Sequence, residues 1–203
     1  MSFTSYQSTG AVLKQFQIVY NESNYIVEAE MPVNDYFRVE LQMTIGEGVV
    51  DNSDVAICEN LIYPVLKEVW KLYRDRFILW SHEFLHCDEG LEGVIDYILA
   101  RRSPLGKIVF DKPYFVGVQV RRDSNFDASW GHCLAAMVGL QKLNQEPDQT
   151  VFGLVSNGEI WQFGQLGKDS FTKNSTFYTI QELDRLLTAV NFVFQQCDLQ
   201  LLQ

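Results

Sequence analysis

The chain has 203 residues, 47% of them hydrophobic and 13% aromatic, enough apolar material to bury a core and too much for a mainly disordered protein. Sixteen Lys and Arg stand against 26 Asp and Glu, a net charge of −10, so the average surface repels nucleic acid and anionic membranes, and DNA contact requires a local basic patch. The start, MSFTSYQSTGAVLKQF, lacks the basic and apolar stretches of a signal peptide and no 18-residue apolar run occurs, so the expectation is a cytoplasmic protein outside the membrane.

Cys58, Cys87, Cys133 and Cys197 are far apart and form no CxxC pair, which predicts reduced thiols, three of them in apolar stretches. No composition break divides the chain, so we read 1–203 as one domain, with 1–50 as an N-terminal extension. Within that extension, NDYFRVELQMTI (34–45) predicts a short helix capped by Asn34 and ended at Gly46-Glu47-Gly48. From Ser53, an N-cap, to about Arg74 a helix is expected, with Val55, Cys58, Ile62, Leu66, Val69 and Tyr73 inward and a kink or split at Pro64.

FILWSHEFL (77–85) and EGVIDYILA (92–100), separated by the turn CDEG, read as a β-hairpin. PYFVGVQVR (113–121) follows the Ser103-Pro104-Leu105-Gly106 turn as a third strand, apolar on both faces. FDASWGHCLAAMVGLQKL (126–143) has helical spacing. TVFGLVS and EIWQFGQL flank Asn157-Gly158, which predicts a hairpin with a type I′ turn. Thr179 and Glu182 form a capping box that opens a C-terminal helix over 179–199. A helix between strands three and four demands a crossover, hence a parallel pair beside antiparallel hairpins: an α/β fold with a mixed five-stranded sheet flanked by helices.

Polar residues interrupt two greasy strands. Strand alternation puts Asp96 on one face with Val94, Ile98 and Ala100, and Gly93, Ile95, Tyr97 and Leu99 on the other. Gln119 and Arg121 share a face of the next strand. A buried carboxylate needs a hydrogen bond, a cation or a proton. With Gly93-x-x-Asp96-Tyr97 on one strand and Val118-Gln119-Val120-Arg121 leading into a helix, residues 53–166 resemble the core of PD-(D/E)XK (restriction-endonuclease-like) nucleases, and the VSNGEIWQF hairpin is similar to bacterial members of unassigned function. The resemblance implies Mg²⁺-dependent phosphodiester hydrolysis, with Asp96 as a metal ligand, Gln119 where Asp or Glu is usual and Arg121 where Lys is usual. It also implies a further acid from the first helix, for which the helical face selects Glu59. Gln119 offers no charge to the metal and Arg121 cannot act as a base, so the alternative is an inactive module of this fold that binds DNA or a protein partner. An Asp96–Arg121 ion pair would then replace the metal.

Arg101, Arg102, Lys107 and Lys112, with Arg121 and Arg122, supply the candidate basic patch for nucleic acid. A second copy of the chain or another protein is the other kind of partner this reading admits. His82-Glu83-Phe84-Leu85-His86 spells HExxH, but zinc-protease chemistry needs both histidines on one helical turn. On a strand they stand about 13 Å apart, so they are not expected to share a zinc ion. His132 is read as a packed or capping group.

Overall fold

In the computed structural model, residues 2–88 and 91–202 are described. Glu89 and Gly90, half of the expected CDEG turn, lie outside them. The chain forms α1 (Thr9–Phe16), β1 (Val19–Ser23), α2 (Asp35–Glu47), α3 (Asp54–Ile57), α4 (Tyr63–Tyr73), β2 (Phe77–Asp88), β3 (Leu91–Arg102) and β4 (Phe110–Val120). There follow α5 (Phe126–Asn144), β5 (Val151–Ser156), β6 (Ile160–Leu166), β7 (Ser170–Asn174), β8 (Tyr178–Thr179) and α6 (Leu183–Leu201). Among the described residues the mixed sheet has eight strands, not the expected five, in the order β1-β7-β6-β5-β4-β3-β2 with β8 against β6. The additions are β1, β7 and β8; β1 and β7 are short, and β1 runs parallel to β7 at an edge. The predicted crossover is present, with α5 joining the parallel neighbours β4 and β5.

Two apolar layers cover the sheet. One packs α4 and α6 against it through Val65, Leu66, Leu187 and Phe194. The other packs α1 and α5 through Val12, Trp130, Leu134 and Met137. Helix α5 is buried along almost its whole length, which explains why its sequence is apolar all round and not amphipathic.

Three local expectations change. Tyr63 N–H bonds to the carbonyl of Cys58, five residues back, so Cys58–Ile62 form a π-turn between α3 and α4. Pro64, in the first turn of α4, has no N–H to continue an α-helical ladder. The wider turn rotates the preceding residues, so Ile57, Cys58 and Leu61 are buried whereas Val55 and Glu59 are exposed. The Asn157-Gly158 hairpin is not type I′, because Asn157 does not have a positive φ as that turn requires. Its side-chain oxygen instead accepts from Glu159 N and Ile160 N. No capping box forms either: Thr179 makes no side-chain cap, and Glu182 bonds to Arg185, one helical turn on.

Candidate functional site

The strand alternation that led to Asp96 breaks at Asp96 itself. Leu91 and Ile95 join the α5 layer, whereas Tyr97 and Leu99 join the α4–α6 layer. On β2 the partner position is His82: Ser81 pairs with Tyr97 and Glu83 with Ile95, and His82 has a left-handed φ of 55°. Non-glycine residues are rarely held there inside a strand. The inside and outside of both strands thus exchange at the His82–Asp96 step, so Ile95 and Tyr97 do not share the face expected of them.

This switch leaves the Asp96 carboxylate reaching two ways. Its Oδ2 accepts from the Gln119 amide at 2.9 Å and from Val120 N–H at 2.7 Å, one step beyond the Tyr97–Val118 pair of the β3–β4 ladder. Asp96 and Gln119 are therefore bonded neighbours on adjacent strands, as expected. Its Oδ1 faces His82 Nε2 at 3.9 Å. The Cys58 thiol completes a group in which the sulfur, a ring nitrogen and a carboxylate oxygen all lie within 4.8 Å of one another. Burial raises the Asp96 pKa, and the Val120 N–H, His82 and Arg121 offset it only in part. Burial, then the Asp96 charge, pushes the Cys58 thiol up to about 12, which makes it a poor nucleophile at neutral pH.

Arg121 is next to the site but does not pair with Asp96. Its Nη1 lies 3.7 Å from Asp54 Oδ2, its Nη2 donates to His132 Nδ1 at 3.2 Å, and its buried Nε has no hydrogen-bond partner among the described residues. The expected Asp96–Arg121 ion pair is thus absent among the described residues; the guanidinium goes to Asp54 instead. Asp54, in the first turn of α3, also accepts from Arg122 N–H at 2.7 Å. His132 is buried, and burial followed by the Arg121 charge lowers its pKa.

Asp54, Asp96, Gln119, Arg121, Phe84 and Val94 line an open cleft of about 420 Å³ at this end of the sheet. Glu59 does not line it. The π-turn sends Glu59 to a groove between α2 and α4, with Glu40, Lys67 and Lys71, and brings Cys58 and Asp54 toward Asp96 in its place. The basic residues divide as well. Arg122 stays near the cleft, its guanidinium donating to Asn52 O. Arg102 pairs with Phe110 at the opposite end of the antiparallel β3–β4 ladder, about 20 Å from Asp96 along the strand. There Arg101 bonds to Asp111, Arg102 to Arg74 O and Lys112 to Gln145, so the six basic residues do not form one patch at one mouth.

His82 and His86 lie on β2 and engage different acids, His86 bonding to Glu92 at 2.9 Å. The grouping of Cys58, His82 and Asp54 around Asp96 and Arg121 was not read from the sequence. The signal for Cys58 was Pro64, six residues on, which announces a break in the helical ladder ahead of itself. No family model matches the chain, and a comparison with curated proteins finds no match. No helix among the described residues is long and apolar enough to cross a membrane, and all four cysteines are free.

Proposed function

We propose that this chain uses a restriction-endonuclease-like core as a non-hydrolysing binding module for a protein partner. The carrying observation is the 2.9 Å hydrogen bond from the Gln119 amide to Asp96 Oδ2. In a working site of that type, the residues at these two positions ligate Mg²⁺ together; here one donates a hydrogen bond to the other, which satisfies Asp96 Oδ2 without a metal. Arg121 supports the same reading. A guanidinium committed to Asp54 and His132 neither deprotonates water nor turns toward Asp96.

A protein partner is favoured over a phosphate backbone because the cleft carries Asp54 and Asp96 beside the exposed apolar neighbours Phe84 and Val94, while Arg101 and Arg102 sit at the far end of β3. The test is Mg²⁺- and Mn²⁺-dependent cleavage of single- and double-stranded DNA, together with DNA binding across a salt series. We expect no cleavage, and DNA affinity no greater than non-specific. Cleavage by the natural protein that Asp96→Ala abolishes would establish the nuclease reading instead.

A further inference from the structure

We propose that Cys58, His82 and Asp96 form a zinc site, with Sγ, Nε2 and Oδ1 as three ligands and a fourth position open toward solvent. The three come from the π-turn, β2 and β3, and their donor atoms already lie within 4.8 Å of one another. A modest contraction brings such a set to the spacing of a tetrahedral zinc ion, whose ligands stand about 2.0–2.3 Å from the metal. One sulfur, one imidazole nitrogen and one carboxylate oxygen suit Zn²⁺, a borderline-soft ion; Mg²⁺ prefers oxygen alone. The inference does not rest on the proposed function, since it uses the oxygen of Asp96 that Gln119 leaves free.

Independent features of the backbone and of the surrounding bonds point the same way. His82 holds a left-handed conformation inside a strand, an outlier of the sort that concentrates at functional sites, and that conformation brings its imidazole to Asp96. Cys58 sits on the π-turn, a helix irregularity also common at such sites. Each ligand is held from behind. His82 Nδ1 is 2.8 Å from Ser81 Oγ, so a proton on Nδ1 bonds there and frees the Nε2 lone pair. Asp96 Oδ2 is fixed by Gln119 and Val120, which leaves Oδ1 available. Tyr97 donates to the Cys58 carbonyl at 3.0 Å. Such outer bonds orient metal ligands and keep their donor atoms free. The charges also balance, because a thiolate and a carboxylate in this partly buried pocket neutralise a divalent cation. Binding releases the thiol proton, so affinity rises with pH. The partly exposed His82 leaves a way in from solvent.

HExxH pointed to His82 with His86; the geometry assigns His82 with Cys58 and Asp96, and the two possibilities separate cleanly. The reduced, metal-free protein is titrated with Co²⁺ and with Zn²⁺, followed by metal content after desalting and by the thiolate-to-cobalt absorption band. We expect one metal per chain and a thiolate band in the natural protein and in His86→Ala. Affinity should fall roughly ten-fold or more in His82→Gln, and the band should vanish in Cys58→Ser. His82 lies on the exposed edge strand, so its variant should fold even if the buried Cys58→Ser does not; circular dichroism checks both. No stoichiometric binding by the natural protein, unchanged affinity in folded His82→Gln, or loss of the metal in His86→Ala would each overturn the site.

Discussion

Gln119 is the residue on which the metal-free bonding of this cleft turns. Its amide is a donor to Asp96 Oδ2, so Gln119→Glu replaces a hydrogen bond with two carboxylates face to face, one of which must then hold a proton. We expect this variant to lose about 1–3 kcal/mol at neutral pH, to regain part of the loss near pH 5, and to be restabilised by Mn²⁺ or Mg²⁺. Denaturant unfolding at the two pH values, with and without metal, measures all three. His132 gives a second test at the same scale. Burial, then Arg121, lowers its pKa, so the folded chain holds it neutral while the unfolded chain binds a proton near the ordinary value of about 6.5. The stability this group contributes is therefore complete above that value and is lost as pH falls from there toward the folded pKa. Arg121→Gln should raise the His132 pKa in an NMR titration, and His132→Gln should flatten the loss of stability below about pH 6.5.

At the level of elements, long periodic segments were legible and local irregularities were not. Helix α5, the hairpins and the crossover follow from apolar period and turn residues, because burial dictates those patterns. Glu59 was misplaced because its facing was projected at the α-helical period across Cys58–Ile62, ahead of the break expected at Pro64, and the π-turn there adds a residue to that count. The polarity of Asp96 in a greasy strand announced an acid in need of partners, which it finds in Gln119 and Val120, yet its strand phase was wrong: the exchange of faces at His82 depends on a backbone conformation that no residue type in the sequence announces. Strands β1 and β7 carry too few residues for a period to show. The turn after β5 ties these irregularities together, since Gly158 packs on α3 and the π-turn. A Cβ there would stand 2.6 Å from Leu61 Cδ1 and 3.1 Å from Ile57 Cγ2, on a backbone with φ of 92°. Gly158→Ala should therefore cost about 1–3 kcal/mol through strain and overpacking, read as a lower unfolding midpoint. Asn157→Gly, which removes only the side-chain bonds of the turn, should cost less.

Across the whole molecule, the chain between β1 and α2 acts as a strap over the α4–α6 layer. Tyr25, Ile26, Met31 and Val33 pack partly buried against that layer, and polar bonds anchor the strap as well: Asn24 accepts from Thr176 N and Oγ1, Asn174 accepts from Tyr25 N and Ile26 N, and Arg185 on α6 holds Glu28 by two bonds of 3.1 and 2.9 Å. The Arg185 hydrogen bonds lower the Glu28 pKa below its ordinary value. A lowered carboxyl pKa contributes stability that is present above the unfolded value, near 4.5, and is lost as pH falls through the folded one, so this clasp survives mild acid. Both side chains are partly exposed, and exposed ion pairs contribute little to global stability. The two facts separate local from global opening. Glu28→Gln should speed amide hydrogen exchange over 24–33 at neutral pH while leaving exchange in β4 and β5 unchanged, and the natural protein should approach the variant's behaviour only below the ordinary glutamate range. Equal acceleration in β4 and β5 would mean that the strap is part of the cooperative core, held by its apolar contacts and not by the clasp.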